Sequence, residues 1–153
     1  METINGERKE KRVGTRQMVA NLLAERQEML VAYCRLAGLE PYSPDKPVKR
    51  QLEAFCQLLM DYMAFGHFEL YRRIAEGRER RVEAARVARA VYPRIEVVTE
   101  KAVAFNDRYD ASGHVLKLDS LPQDLSQLGE ELALRLELED RLVDALMQGM
   151  KAS

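Results

Sequence analysis

The side chains best suited to metal binding or nucleophilic catalysis are two histidines, His67 and His114, and two cysteines, Cys34 and Cys56. A metal site in a helical bundle needs several ligands at defined spacing, such as Glu-x-x-His pairs, and the sequence contains no such pair. Each cysteine lies inside an apolar helical pattern, which is typical of small buried residues in a reducing cytosol. We also find no phosphate-binding loop, nucleophile motif or cofactor fingerprint. The sequence therefore predicts a protein that is not an enzyme and that has no metal or cofactor.

One carboxylate lies where the last predicted helix should be apolar. If the helix turns 100° per residue, Glu139 falls on the same face as six apolar residues. These residues are Leu125, Leu128, Leu132, Leu136, Val143 and Leu146. Burying an unpaired carboxylate is very costly, so we predict a polar contact with His67, Tyr62 or Arg26. His67 and Glu139 are then structural polar residues. The alternative, an acid–base pair of a carboxylate and a histidine, would be catalytic.

Helices must position these residues. The chain has 153 residues, of which 46% are hydrophobic, and only 8 Gly and 5 Pro, which favours one helical domain. Apolar spacing predicts helices over about 15–36, 48–75, 93–109 and 120–150, and a short extra helix over 78–92 that Pro93 separates from the next. Three prolines mark 41–47 as a loop. We predict an all-α fold, an antiparallel four-helix bundle with a short extra helix, in a single domain over 15–153 that follows a flexible charged arm, residues 1–14.

Charge and hydropathy limit where such a protein acts. The formal net charge is −1, and binding to DNA in general needs a basic surface. No apolar run approaches the roughly 20 residues of a membrane span, and the polar N-terminus does not resemble a secretory signal. We therefore expect a cytoplasmic protein that binds neither DNA directly nor a membrane.

The second predicted helix carries apolar residues on two sides. Its core stripe, centred on Leu52, is formed by seven further residues: Phe55, Cys56, Leu59, Met63, Gly66, Leu70 and Ile74. The opposite side, which we call the outer face, consists of five residues: Asp61, Ala64, Phe65, Phe68 and Arg72. Either this helix is buried on both sides, or the outer face binds a partner through aromatic anchors beside a carboxylate and a guanidinium.

The run from Phe55 to Ile74 strongly resembles the Rsd/AlgQ family of anti-sigma factors, whose signature there is approximately FCQ, DY, GHF, Y and RI in that order. Two further stretches are similar to the family's first and last helices: Leu30-Val31-Ala32-Tyr33 with Leu36 and Gly38, and Leu138-Glu139-Asp140-Arg141-Leu142. The likeness extends from about Gln17 to Leu146. Three blocks in the right order are strong evidence of relationship.

The resemblance implies a helical bundle that binds region 4 of the primary sigma factor, the domain that reads the promoter −35 element. Such binding hides the region 4 surfaces for DNA and for core polymerase, so free sigma is sequestered and transcription is regulated. By resemblance, Asp61, Ala64 and Phe68 occupy sigma-contacting positions. The family is also associated with a phosphocarrier protein and a stringent-response enzyme. The alternative function is therefore a module of the same fold that binds another such regulator.

This sequence departs from the family pattern at several positions. Ala64 stands where a serine is common, which removes one hydrogen bond, and Phe65 stands where a small residue is usual. In the first helix, Ala20-Asn21-Leu22 replaces a characteristic Asp-Arg-Trp. These differences bear on affinity and partner choice.

Two segments carry opposite charge. Arginines outnumber acids between residues 72 and 94, whereas acids outnumber arginines between residues 119 and 144. The two segments either form solvated faces that attract each other, or they serve partners, the acidic one by steering a basic protein and the basic one by binding an anion.

Overall fold

In a computed structural model that describes residues 2–71, 74, 82–110 and 117–151, those residues form four helices without a strand. The helices are α1 (Glu2–Ala37), α2 (Val48–Phe65), α3 (Val82–Tyr109) and α4 (Leu121–Lys151). A π-helical segment, Gly66–Tyr71, continues α2 directly. Helix α1 packs mainly against α2, and α3 packs mainly against α4, while α2 joins the two pairs through α3. This arrangement confirms the all-α, antiparallel four-helix bundle.

Helix α3 differs from the sequence prediction. The short extra helix predicted over 78–92 is not separate, because residues 82–109 form one helix with Pro93 inside it. Proline lacks an N–H, so the carbonyl of Arg89 loses its usual helical donor. Pro93 and Arg89 are both exposed, and water can satisfy that carbonyl. The predicted end of the second helix near Ala75 lies outside the described residues.

Helix α1 is longer than its apolar pattern indicated, since it begins at Glu2 rather than near Thr15. The backbone of residues 2–14, which we expected to be a charged arm, is therefore helical and continuous with α1. The flexibility of that arm stays a prediction.

The core lies between the apolar stripes of the four helices. All members of the stripe predicted for α2 are buried, from Leu52 at 0% exposed to Ile74 at 8%. Edge-to-face rings join three helices, with Phe55 5.6 Å from Tyr33 and 5.9 Å from Phe105 between ring centroids. The Tyr33 hydroxyl donates a 2.8 Å hydrogen bond to the Leu125 carbonyl and so ties α1 to α4. Within the described ranges, no helix is long and apolar enough to cross a membrane.

Candidate partner-binding face

The outer face of α2 is largely open to solvent. Asp61 and Ala64 are exposed, and Phe68 is 55% exposed, an unusual fraction for a phenylalanine. The Gln57 side-chain amide donates a 3.0 Å hydrogen bond to the Asp61 carboxylate one turn away, which orients that carboxylate along the helix. These exposures exclude the alternative in which α2 is buried on both sides.

Two predicted members of the outer face, Phe65 and Arg72, differ from the exposed Asp61, Ala64 and Phe68. Phe65 is half-buried and packs against the core, so only part of its ring is available to a partner. Arg72 lies outside the described residues, as do most arginines of the basic segment 72–94. The roles of Phe65 and Arg72 in partner binding stay predictions.

The π-helical segment presents three consecutive exposed side chains, His67, Phe68 and Glu69. The His67 ring stands edge-on to Phe68, with 4.9 Å between ring centroids and an angle of 81° between the planes. His67 was one of three partners predicted for Glu139, but its side chain is exposed, and the carboxylate bonds to Tyr62, Tyr71 and Arg26 instead. His67 therefore belongs to the same surface as Phe68. A structural polar role for His67 stays a prediction.

Behind the outer face lies a cluster of polar side chains that we call the buried polar network: Arg26, Tyr62, Tyr71, Arg135 and Glu139. Glu139 is 0% exposed. Its carboxylate accepts hydrogen bonds from the hydroxyls of Tyr62, at 2.7 Å, and Tyr71, at 3.1 Å. The Arg26 guanidinium donates a third, longer bond of 3.4 Å. The predicted contacts of Glu139 with Tyr62 and Arg26 are confirmed, and the network joins α1, α2, the π-helical segment and α4.

Arg135 is 1% exposed, and several neighbouring groups stabilise its buried positive charge. Its Nε lies 3.6 Å from the Glu139 carboxylate, one helical turn along α4. Its Nη1 donates to the Met63 sulfur and to the Thr99 hydroxyl, both at 2.9 Å. The guanidinium carbon also lies 4.9 Å from the centroid of the Tyr62 ring, within the range of a cation–π interaction.

The charges of this region balance. Arg26 lies 2.7 Å from Asp140 as well as 3.4 Å from Glu139, so two guanidinium groups face two carboxylates once Arg135 is included. Partial burial lowers the pKa of the Arg26 side chain, but its hydrogen bond and attraction to Asp140 and the charge of Glu139 outweigh burial and raise it. A neutral, hydrogen-bonded set of charges can be buried where a single charge cannot.

The tyrosines of the network act as donors. Burial raises the pKa of the Tyr62 and Tyr71 hydroxyls well above their usual range, and the negative charge of Glu139 raises both further. Arg135 acts in the opposite direction but does not prevail. Both hydroxyls therefore keep their protons at neutral pH and donate them to the carboxylate.

Gly66 leaves the space that Arg135 needs. A Cβ atom at Gly66 would lie 2.7 Å from Nη2 of Arg135 and 3.2 Å from Cε2 of Tyr71, closer than packed atoms approach. The glycine stands at the first position of the π-helical segment. Its lack of a side chain therefore allows the guanidinium to lie against the backbone where the helix widens.

Two members of the network were absent from the sequence predictions. Tyr71 falls about 100° from the centre of the core stripe if the helix is drawn as a regular α-helix, so the predicted stripe did not include it. Arg135 was detectable in principle, because it stands four residues before Glu139 on α4 with the opposite charge. Among the described residues, no group of three or more His, Cys, Asp and Glu side chains is placed to hold a metal ion.

Comparison with known proteins settles the family. Residues 1–147 match the family model described as regulator of RNA polymerase sigma(70) subunit, Rsd/AlgQ. The chain belongs to the Rsd/AlgQ family. It is 32% identical over 152 residues to the Regulator of sigma D of Yersinia enterocolitica, covering 92% of this chain and 86% of that protein. It is 35% identical over 137 residues to those of Shigella dysenteriae and Escherichia coli K12, covering 85% of this chain and 84% of each relative.

Rsd/AlgQ proteins are anti-sigma regulators and not enzymes, as the sequence resemblance implied. The family description names the sigma(70) subunit of RNA polymerase as the target of regulation. No solved structure matches this chain significantly. The outer face and the buried polar network are therefore features of a sigma(70) regulator.

Proposed function

We propose that this protein acts in the cytoplasm by binding region 4 of the primary sigma factor through the outer face of α2. Bound region 4 cannot then reach the promoter −35 element or core polymerase, so the sigma factor is sequestered. The observation that carries the proposal is the exposed Phe68, which stands on the outer face of a chain that belongs to a family of sigma(70) regulators.

Phe68 has the properties of an interface anchor. Burying the exposed half of a phenylalanine ring against a partner contributes on the order of 1 kcal/mol from apolar area alone. Aromatic anchors at the centre of an interface contribute more, because their surroundings also lose water. His67, edge-on to the Phe68 ring, holds that ring in a defined orientation and limits the entropy lost on binding.

Asp61 supplies the charge that fits a basic partner. Region 4 binds DNA and therefore presents a basic surface, which a carboxylate attracts. Asp61 lies seven residues before Phe68 and is oriented by Gln57 at 3.0 Å. We infer that Asp61 contributes mainly to the rate and specificity of association, as charges at the rim of an interface do.

Titration of region 4 from the same organism into the full chain, by isothermal calorimetry, tests the proposal. We expect saturable one-to-one binding and a loss of at least about tenfold in affinity for Phe68→Ala, equivalent to about 1.4 kcal/mol. Asp61→Ala should weaken binding by a smaller factor at low salt and by almost nothing at high salt, because screening removes its contribution.

Two control variants separate the outer face from a general surface effect. Val103→Ala removes two methyl groups from an apolar side chain that is 41% exposed on α3, and Asp107→Ala removes an exposed carboxylate from the same helix. Both should bind region 4 like the wild type. Equal binding by Phe68→Ala and the wild type would place the contact elsewhere. A folded wild type that does not bind region 4 would refute the proposal and favour another regulator as the partner.

A further inference from the structure

The π-helical segment is fixed at both ends. At its start, Gly66 lies against the buried guanidinium of Arg135. At its end, the Tyr71 hydroxyl donates a 3.1 Å hydrogen bond to the buried carboxylate of Glu139. Between these two contacts, His67, Phe68 and Glu69 are exposed, and Leu70 is buried. One short segment therefore joins the buried polar network to the outer face.

The wide turn changes which side chains enter the core. A π-helix bonds each residue to the fifth residue along, so it rotates less per residue than an α-helix does. Leu70 and Tyr71, which are consecutive, are both buried, at 1% and 2% exposed. A regular α-helix would turn Tyr71 about 100° away from the centre of the core stripe. In the π-helical form Tyr71 is buried beside Leu70, and its hydroxyl donates to Glu139.

We propose that the hydrogen bond from Tyr71 to Glu139 is a positioning contact for partner binding. It holds the π-helical turn and so fixes the direction of Phe68 relative to Asp61 and Ala64 on the outer face. Without the bond, the segment gains access to the regular α-helical form. Phe68 then still lies on the outer side of the helix, but Phe68 and His67 point in other directions relative to Asp61 and Ala64, so only part of the population is competent to bind. π-helical turns inside α-helices are frequent at functional sites. This inference rests on the proposed function, because its effect is measured on binding of the sigma factor.

Tyr62 provides a matched control for Tyr71. Both tyrosines are buried, and both donate to the same carboxylate, Tyr62 at 2.7 Å and Tyr71 at 3.1 Å. Tyr62 lies on α2 before the π-helical segment, whereas Tyr71 ends it. Replacement of either by phenylalanine removes one hydroxyl and keeps the ring, so both variants should fold. A merely structural bond predicts similar effects from the two replacements.

The experiment measures region 4 affinity, the urea midpoint and amide hydrogen exchange over residues 66–71. Tyr71→Phe should weaken binding by about fivefold to tenfold, and Tyr62→Phe by less than about twofold, although both lower the urea midpoint. In the Phe68→Ala background, Tyr71→Phe should change affinity by less than about twofold, because the contact acts through Phe68. Exchange over 66–71 should accelerate in Tyr71→Phe and stay near the wild-type rate in Tyr62→Phe.

The outcomes separate the two proposals. If the wild type binds region 4 and Phe68→Ala weakens binding, but Tyr71→Phe binds like the wild type, the positioning role is wrong and the proposed function stands. Equal weakening by the two tyrosine replacements also overturns the positioning role, since it indicates a general loss of stability. A folded wild type that does not bind overturns both proposals.

Discussion

Replacing the buried carboxylate of Glu139 by an amide should cost this protein a large part of its stability. Glu139→Gln keeps the size of the side chain and removes its charge. Arg135, 1% exposed and 3.6 Å away, then remains buried without its carboxylate. Breaking a buried ion pair from one side typically costs about 3–5 kcal/mol. A folded domain is stable by about 5–15 kcal/mol, so the variant should still fold while unfolding much earlier in urea.

The hydrogen bonds of Glu139 account for part of that cost. The carboxylate accepts from the hydroxyls of Tyr62 and Tyr71, and the pKa of both hydroxyls is raised by burial, so they stay protonated donors. The single oxygen of a glutamine amide replaces two carboxylate oxygens. One buried donor then loses its partner, at about 1–3 kcal/mol. The remainder comes from Arg135, whose buried positive charge no longer faces a carboxylate.

A second pair on the same helix gives the control. Glu137 and Arg141 have the same spacing, four residues, and lie 3.2 Å apart, but their side chains are 64% and 62% exposed. Water screens this pair, and Glu137→Gln should change the free energy of unfolding by less than about 0.5 kcal/mol. Urea unfolding followed by circular dichroism at 222 nm, with the slope checked for two-state behaviour, measures both variants.

A double-mutant cycle with Arg135→Met tests the reasoning directly. Removing both charges should cost at least about 1 kcal/mol less than the sum of the single losses, because neither charge is then left alone. Strict additivity would mean that Arg135 and Glu139 do not depend on each other. A Glu139→Gln variant as stable as Glu137→Gln would refute the account of the buried polar network altogether.

Three further measurements test packing and burial. Gly66→Ala should destabilise the protein by about 1–3 kcal/mol in urea unfolding, because the new Cβ would meet Arg135. Gly14→Ala is the control, since no atom lies within 4 Å of a Cβ there, and it should stabilise helix α1 by about 0.5–1 kcal/mol. Burial raises the pKa of both tyrosines in the network, so the unfolded chain releases their protons at lower pH than the folded protein does. The free energy of unfolding therefore keeps the full contribution of these tyrosines below about pH 10. Above that pH it falls by up to about 1.4 kcal/mol per pH unit for each tyrosine. Urea titrations from pH 9 to 11 should show a shallower fall when both are phenylalanine. Cys56 is buried, as its apolar pattern indicated, whereas Cys34 is exposed. Burial raises the pKa of the Cys56 thiol to about 12, so DTNB at pH 8 should react quickly with Cys34 alone, and two fast thiols would contradict the fold.

The sequence by itself determined the helical class, the bundle and the buried face of α2. The stripe around Leu52 repeats at helical spacing, and burial of apolar side chains follows such a stripe closely. Glu139 was also recognisable, because a carboxylate on an apolar face must find a partner. Of the three partners predicted for it, Tyr62 and Arg26 contact Glu139 and His67 does not. The exposed positions Asp61, Ala64 and Phe68 followed from the same helical periodicity and from the family resemblance.

Only the tertiary structure decided the turn after Phe65. Regular periodicity assumes about 100° per residue, and the π-helical segment departs from it. Two contacts accompany this departure: Gly66 leaves space for Arg135, and the Tyr71 hydroxyl donates a hydrogen bond to Glu139. These contacts join residues about 70 positions apart in the chain, and no local pattern contains them. Tertiary packing also explains why α3 continues through Pro93, although here it preserves a regular helix instead of altering one. Its local tendency to interrupt a helix is outweighed by packing of the buried residues on either side, Val91 and Ile95, against the rest of the bundle.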